Sequence, residues 1–252
     1  MLVSEQHKAV LRLQLNRPEK RNALHPDLLA PLQQTLAATA QDDQIAAVIL
    51  TGAGSSFCAG LDLTHLLAQS TAGKMAYLEG VFALFQQLYT LPQPVIAAIN
   101  GPALAGGFDL AAMCDIRLCA PAATFAQTEV LLGLTQMSYP LYKIIGLSRA
   151  KELALTGDAI SADEAYRIGL VNHIYAAEEL PEQAMALAEK LAARPRQALF
   201  ATKRLTRELL DVDTPTAFRQ MKETIFACLA SAEHQQQAES FVARLKQRQP
   251  KH

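Results

Sequence analysis

The sequence predicts an α/β fold with a helical C-terminal third. In the first half, short apolar strands are followed by glycine-rich turns and then by helices, the alternation typical of α/β domains. From about residue 161 the pattern changes, and after Leu180 nearly every segment has helical periodicity. The chain has 252 residues, half of them hydrophobic, which is enough to bury a large core.

The strands are predicted from two kinds of apolar pattern. Leu11, Leu13 and Leu15 alternate with polar residues, as in a half-buried strand. Three shorter runs are almost continuously apolar, as in fully buried strands, and lie at 45–50, 94–100 and 116–119. Because glycine turns follow the first two of these runs, we expect a ligand site at the ends of those strands.

The helices are predicted from start signals and from apolar spacing. Pro26, preceded by His25, marks a helix start. A second helix is predicted from an apolar stripe formed by Met75, Leu78, Phe82, Phe85 and Leu88. Ser161 and Glu164 form the pattern of a capping box, in which each side chain bonds the other's backbone N–H group. The later helices are expected at 181–193, 195–210 and 215–248.

The charge balance argues against several partners. The net charge is −1, from 23 basic and 24 acidic residues, so no general field attracts nucleic acid or an anionic membrane. Residues 1–8 are polar and lack the apolar segment of a signal peptide. No run reaches the roughly 18 apolar residues of a membrane span. We therefore expect a soluble, cytoplasmic protein that binds neither nucleic acid nor membrane.

The four cysteines show no metal or redox pattern. Cys58, Cys114, Cys119 and Cys228 form no C-x-x-C pair and have no zinc-ligand spacing. Each lies among apolar residues, so four buried, reduced thiols are expected rather than disulfides or a metal site.

Three common catalytic motifs are incomplete. The turn at 52–57 follows a strand, as a dinucleotide-binding turn does, but Phe57 stands where the third glycine is needed. A phosphate loop ending at Gly73 and Lys74 fails because Ala68 replaces its first glycine. The sequence contains no G-x-S-x-G, so it does not support a serine hydrolase with a nucleophile elbow.

Two segments rich in small residues remain, at 56–63 and 100–110. Each combines small residues with a helix start, where backbone N–H groups lack intrahelical partners. Two such groups that converge on one point would form an oxyanion hole. Either segment taken alone is better explained as an ordinary tight turn.

Over essentially the whole chain, the sequence resembles the crotonase superfamily, the enoyl-CoA hydratase/isomerase family. Each matching motif is weak alone, and their order and spacing together make the resemblance specific. The motifs are Leu15-Asn-Arg-Pro-Glu-Lys-Arg-Asn-Ala-Leu24, Phe57-Cys-Ala-Gly-Leu-Asp-Leu63, Ile99-Asn-Gly101, Ala105-Gly-Gly107, Met113-Cys-Asp-Ile-Arg117, residues 150–165 and Gly169-Leu-Val-Asn172.

The resemblance implies an architecture and a chemistry. It implies a spiral of ββα units over residues 1–190, and a C-terminal helical region, 191–252, that builds homotrimers, commonly paired into hexamers. It implies a coenzyme A thioester as substrate, with no metal or redox cofactor. Matched position by position, the oxyanion hole falls on the backbone N–H groups of Leu61 and Gly106.

The resemblance also implies contacts with coenzyme A. The backbone segment expected to hold the adenine comprises Ala59, Gly60, Leu61, Asp62 and Leu63. Lys20 or Arg21 would face the phosphates, although both are equally well explained as solvated loop charges.

Two acidic residues match the family's acid/base positions. Hydratases of the family carry two glutamates there, whereas this chain has Asp109 and, twenty residues later, Glu129. Glu129 lies in an apolar run, which favours a catalytic role over a structural ion pair. Asp109 is one methylene shorter, and a displacement of about 1 Å can cost about a hundredfold in rate. An acid in the first turn of a helix is also simply stabilised by the helix dipole.

These acids leave three functions open. If both act, they hold one water and add it syn to a 2-enoyl-CoA, as an enoyl-CoA hydratase does. If Glu129 acts alone, it moves one proton between C2 and C4, as a Δ3,Δ2-enoyl-CoA isomerase does. The third possibility is a CoA-thioester-binding protein with low turnover.

The segment after Glu129 departs from the family pattern. Gln136 and Tyr139 occupy positions where relatives usually have proline and glycine. Met137 and Tyr139 are expected to line the acyl pocket, and their bulk predicts a restricted or unusual acyl group.

Overall fold

The computed structural model describes residues 1–136 and 139–248. The chain divides into two compact units, Met1–Glu189 and Lys190–His252. The sequence-based division, between residues 190 and 191, lies one residue further along the chain.

Two sheets occupy the described part of the first unit. Their strands are β1 (Leu2–His7), β2 (Val10–Leu15), β3 (Ala47–Gly52), β4 (Val95–Ile99), β5 (Ala103–Leu104), β6 (Ile116–Cys119), β7 (Thr124–Ala126), β8 (Ile160–Ser161) and β9 (His173–Ile174). The larger sheet has the order β1-β2-β3-β4-β6-β9 and is parallel apart from the β1–β2 pair. The smaller sheet has the order β5-β7-β8.

The chain alternates between the two sheets. It passes from β4 in the larger sheet to β5 in the smaller one, and then from β6 to β7 in the same way. Helices return the chain between these strand pairs. This path is a spiral of ββα units, so the predicted fold class is confirmed.

The helices are α1 (Pro26–Ala40), α2 (Leu63–Leu67), α3 (Thr71–Thr90), α4 (Gly106–Ala112), α5 (Leu141–Ile145), α6 (Leu147–Thr156), α7 (Ala162–Arg167), α8 (Leu180–Ala192), α9 (Arg196–Glu208), α10 (Thr214–Leu229) and α11 (Ala232–Arg248). The helix predicted at Pro26 begins there, because His25 Nδ1 accepts a hydrogen bond from the N–H of Asp27 at 3.2 Å. No helix in the described part of the chain is long and apolar enough to cross a membrane.

The predicted capping box at α7 is only half formed. Ser161 Oγ accepts the N–H of Glu164 at 3.2 Å, as expected. The carboxylate of Glu164 instead binds the guanidinium of Arg167, with contacts of 2.6 and 2.7 Å. The ion pair one turn along the helix therefore replaces the second bond of the box.

The helix predicted from the apolar stripe is confirmed as α3, and the residues of the stripe differ in their exposure. Leu88 and Phe85 are buried, but Met75 is 63% exposed and Phe82 is 50% exposed. The residues that face the core also include Tyr77, Val81 and Leu84. This helix carries apolar residues on two faces, and Phe82 belongs to the face that lines a cavity rather than the core.

The single helix predicted at 215–248 is two helices, α10 and α11. α10 ends at Leu229, and Ser231 Oγ accepts the N–H of His234 at 3.1 Å, which caps α11.

The prediction that all four cysteine thiols are buried needs one correction. Cys58, Cys114 and Cys119 are buried, whereas Cys228, on α10, is partly exposed. In residues 1–136 and 139–248, no group of three or more His, Cys, Asp or Glu residues could hold a metal ion.

Candidate active site

The first part of the site is formed where the segment after Phe57 passes the start of α4. Gly60 has a φ of +89°, and a Cβ atom there would lie 2.9 Å from the backbone nitrogen of Gly106. This close approach puts Leu61, the next residue, beside Gly106. Only glycine fits at position 60, because the backbone conformation and the space both exclude a side chain.

The backbone N–H groups of Leu61 and Gly106 are both available. Gly106 is the first residue of α4, so its N–H group has no intrahelical acceptor. Ala105 precedes it with a φ of +49° and is anchored by a 2.8 Å bond from its N–H to the carbonyl of Ala126. Among the described residues, no hydrogen-bond acceptor is found for either N–H group.

Leu61 and Gly106 both border a cavity of about 380 Å³. Its lining residues are Leu61, Leu78, Val81, Phe82, Phe85, Gly106, Asp109, Glu129, Leu134, Thr135 and Gln136. Most of this surface is apolar, and the polar part is concentrated at the two acids, Gln136 and Thr135. The structure thus brings together the four residues predicted for the oxyanion hole and for acid/base chemistry.

Asp109 is almost completely removed from water. It lies on α4, it is 4% exposed, and its Oδ1 accepts hydrogen bonds from Nε2 of Gln136 at 2.9 Å and Nε2 of Gln127 at 3.4 Å. Burial, followed by the charge of Glu129, raises the pKa of Asp109 well above its ordinary value, although both amides act in the opposite direction. A buried acid with a raised pKa is suited to holding or moving a proton.

Glu129 lies on a 3-10 helix, Thr128–Leu132, that follows β7. Its Oε2 is buried and has no hydrogen-bond partner in the described part of the chain. Burial raises the pKa of Glu129 as well. The alternative role for Glu129 was a structural ion pair, and none is found for it among the described residues. Its Oε2 is instead available to bind substrate or water.

The loop that carries Lys20 and Arg21 lies next to the Ala59–Leu63 segment. The N–H of Ala59 donates to the carbonyl of Arg21 at 2.9 Å, and that of Leu24 donates to the carbonyl of Gly60 at 2.8 Å. The side chains of Lys20 and Arg21 are exposed. The two segments predicted to contact coenzyme A are therefore adjacent, and the contacts themselves stay a prediction.

Asp62 stabilises the local structure of this segment. Its carboxylate caps α2 by accepting the N–H of His65 at 3.1 Å, and it forms a 3.0 Å ion pair with Arg17. Its own N–H donates to the hydroxyl of Tyr77 at 3.0 Å, and that hydroxyl donates to the carbonyl of Leu24. Burial alone would raise the pKa of Asp62, but the bond from His65 and the charge of Arg17 outweigh it and lower the pKa.

The two residues predicted for the acyl pocket have different outcomes. Met137 lies outside the described residues. Tyr139 is 38% exposed, its hydroxyl lies 3.2 Å from that of Tyr89 on α3, and the Lys143 ammonium lies 4.7 Å from the centre of its ring. These contacts lie beyond the residues that line the cavity, so a role for Tyr139 in acyl selection stays a prediction.

Three residues of the site were not recognised from the sequence. Gln127 and Gln136 hold Asp109, and Tyr77 fixes the backbone after Leu61. Gln127 is 1% exposed at the end of β7. A glutamine two residues before Glu129 is a signal that could have been used, because a polar side chain in a buried segment needs a partner.

A cavity lined by one buried acid, one partly buried acid and two residues whose main-chain N–H groups have no partner among the described residues defines a class of enzyme. Such a site stabilises negative charge on a carbonyl oxygen while protons are moved nearby. A family model described as enoyl-CoA hydratase/isomerase matches residues 5–252. The chain belongs to this family and is an enzyme of it, as the sequence resemblance predicted.

Several named relatives are similar along nearly the full length. The short-chain-enoyl-CoA hydratase of Clostridium acetobutylicum is 34% identical over 251 residues, covering 97% of this chain and 95% of the relative. The crotonyl-CoA hydratase of Syntrophomonas wolfei is 34% identical over 251 residues, covering 97% and 96%. The crystal structure of an enoyl-CoA hydratase from Bacillus anthracis superimposes with a TM-score of 0.94 at 32% identity, covering 96% of each chain.

Proposed function

We propose that this chain is an enoyl-CoA hydratase, which adds water syn across the double bond of a 2-enoyl-CoA. One observation carries the proposal: Asp109 and Glu129 line the same cavity as Leu61 and Gly106, the residues of the two N–H groups that have no partner in the described part of the chain. Hydration of an enoyl thioester needs both parts, because charge develops on the thioester oxygen while two protons are relocated.

In the proposed reaction, the thioester oxygen accepts hydrogen bonds from Leu61 and Gly106. One carboxylate removes a proton from water as the water oxygen bonds to C3. The electron pair of the C2–C3 double bond then forms a C1–C2 double bond while the carbonyl electron pair moves onto the thioester oxygen, which gives the enolate. The other carboxyl group then donates a proton to C2. Each N–H donor lowers the barrier by roughly 3 kcal/mol.

The electrostatics of the two acids support a mechanism in which one acts as general base and the other as general acid. Burial raises the pKa of both Asp109 and Glu129, and the charge on Glu129 raises that of Asp109 further. Two neighbouring carboxyl groups that are shielded from water tend to share a proton rather than both ionise. The pair therefore supplies one base and one acid at the same time.

The second candidate is a Δ3,Δ2-enoyl-CoA isomerase that uses Glu129 alone. It is favoured by one observation: Asp109 is held by two amides, whereas Oε2 of Glu129 is buried with no partner among the described residues. In that reaction a single carboxylate takes a proton from C2 of a 3-enoyl-CoA and returns it to C4.

One experiment separates these functions. The purified protein is mixed with crotonyl-CoA, and separately with a 3-enoyl-CoA, while the absorbance of the conjugated thioester is followed. Loss of the absorbance of crotonyl-CoA supports hydration, and a gain from the 3-enoyl substrate supports isomerisation. If neither changes although CoA esters bind, the protein is a CoA-thioester-binding protein with low turnover. Relatives named for short-chain and crotonyl substrates make crotonyl-CoA the first choice.

We also propose which residues contact coenzyme A, how the chain assembles and in which compartment it acts. Lys20, Arg21 and the Ala59–Leu63 backbone bind the coenzyme A part, and the reaction uses no metal or redox cofactor. A homotrimer or a hexamer made of two trimers is supported by exposed aromatic side chains in the helical unit, where Phe218 is 68% exposed and Phe226 59%. The free thiols suit the reducing cytoplasm.

A further inference from the structure

Asp109 depends on side-chain amides for its hydrogen bonds. The shorter of the two bonds, at 2.9 Å, comes from Gln136 Nε2, and the longer, at 3.4 Å, comes from Gln127 Nε2. Gln136 follows the 3-10 helix that carries Glu129, and it stands at one of the positions where this chain departs from the pattern of the family. Gln136 and Asp109 both differ from the family pattern, and the first donates a hydrogen bond to the second.

The donor acts on the protonation state of Asp109 as well as on its orientation. Asp109 is 4% exposed, so water does little to stabilise its carboxylate. A hydrogen bond to an ionised acceptor is about twice as strong as one between neutral groups. An amide donor at 2.9 Å therefore stabilises the carboxylate in preference to the neutral acid.

The surroundings of Asp109 offer little else that would stabilise its charge. α3 presents Leu78, Val81 and Phe82 to the cavity, and the segment after Gly60 presents Leu61. Glu129, on the 3-10 helix, is the titratable group whose charge acts on Asp109, and it disfavours ionisation. Among the described residues that line the cavity, none is a cation.

We propose that Gln136 is a positioning residue for hydration: its amide occupies Oδ1 of Asp109 and favours the carboxylate form against the effect of burial, so that Oδ2 takes the proton from water. This inference rests on the proposed hydratase function. It assigns Asp109 the role of base and leaves Glu129 as the group that donates the proton to C2. Gln127, at 3.4 Å, assists with a weaker bond.

The test compares the pH dependence of crotonyl-CoA hydration in the wild type and in Gln136→Met, which keeps the length of the side chain and removes the donor. Because the base must be ionised, kcat rises with pH along the acidic limb. In the variant, this limb is expected to move to higher pH by on the order of one unit. At neutral pH kcat should fall about tenfold and should recover at alkaline pH, with KM unchanged within about threefold. A structural defect would not recover with pH.

Two further variants complete the design. Gln136→Glu replaces the donor by an acceptor of the same shape and should move the limb at least as far as Gln136→Met does, so the test survives if one variant folds poorly. In an Asp109→Asn background, Gln136→Met should reduce the residual rate by less than about twofold, because its effect passes through Asp109.

The possible failures have different meanings. If the wild type hydrates crotonyl-CoA but the acidic limb does not move in either Gln136 variant, this inference is overturned and the hydratase function stands. The inference is also overturned if Gln136→Met lowers the hydration rate in the Asp109→Asn background as much as it does in the wild type. If the wild type does not hydrate crotonyl-CoA at all, the proposed function fails, and this inference fails with it.

Discussion

Replacing Asp109 with Asn tests the site most directly, because the change removes a charge and almost no volume. Both amide bonds to Oδ1 can persist, since the oxygen that accepts them is retained. General acid–base catalysis contributes about 10²–10⁴-fold. Hydration of crotonyl-CoA by the variant should therefore fall by that factor, which corresponds to about 3–5 kcal/mol of barrier.

The stability advantage of the same variant over the wild type should grow as the pH rises. Burial raises the pKa of Asp109 in the folded protein, so the folded state binds its proton more tightly than the unfolded state does. The stability linked to this proton is complete below the ordinary value of about 3.9 and is lost as the pH rises through the folded pKa. Asparagine does not ionise, so the variant escapes that loss.

The assays are steady-state hydration kinetics and thermal unfolding at several pH values from about 5 to 9. The midpoint of Asp109→Asn should exceed that of the wild type by a margin that widens with pH. Asp109→Glu, which restores the residue typical of the family, serves as the matched control and should hydrate faster than Asp109→Asn. The reasoning is refuted if Asp109→Asn retains more than about a tenth of the wild-type rate.

Three other variants test the backbone, the buried ion pair and helix α3. Gly60→Ala puts a Cβ atom 2.9 Å from the nitrogen of Gly106 at a φ of +89°, and the disturbed donor should lower kcat for hydration about 10²–10³-fold. Asp62→Asn keeps the cap of α2 but leaves the buried charge of Arg17 uncompensated, which should cost about 3–5 kcal/mol in chemical unfolding at pH 7. The pKa of Asp62 is lowered, so its contribution is lost as the pH falls below about 4, and the difference from the wild type should narrow there. Gly80→Ala, inside α3 with nothing within 4 Å of the new Cβ atom, should raise the free energy of unfolding by about 1 kcal/mol and the melting temperature by about 2–4 °C.

Each of these expectations has an opposing outcome. Normal turnover in Gly60→Ala would show that the approach of Gly60 to Gly106 does not shape the oxyanion hole. A constant stability difference for Asp62→Asn between pH 7 and pH 3 would contradict the depressed pKa of Asp62. A melting temperature lowered in Gly80→Ala would mean that α3 has a steric neighbour at that position.

Most of the architecture could be predicted from local sequence patterns. The alternation of Leu11, Leu13 and Leu15 predicted β2, and Pro26 marked the start of α1. The errors arose where one pattern has two physical explanations. An apolar residue such as Phe82 at helical spacing fits a cavity wall as well as a core, and a long amphipathic run at 215–248 hides a break of two residues.

The site could be predicted only in part. Leu61, Gly106, Asp109 and Glu129 were assigned through the family resemblance, since their separation along the chain says nothing about where they meet. The amide partners were missed because a glutamine in a sequence does not reveal which acceptor it will reach. Gln136 lies 27 residues from Asp109, and the fold alone brings them together.

The proposed oxyanion hole is made of main-chain groups, whereas the two proposed acid/base groups are side chains. The N–H groups of Leu61 and Gly106 are peptide groups, so only a substitution by proline would delete them. Asp109 and Glu129 are side chains and can be exchanged singly. Under the proposed mechanism, substitutions at positions 109 and 129 should change what happens to the enolate without removing the main-chain groups that bind the thioester oxygen, so engineering of new reactions should begin at these two positions.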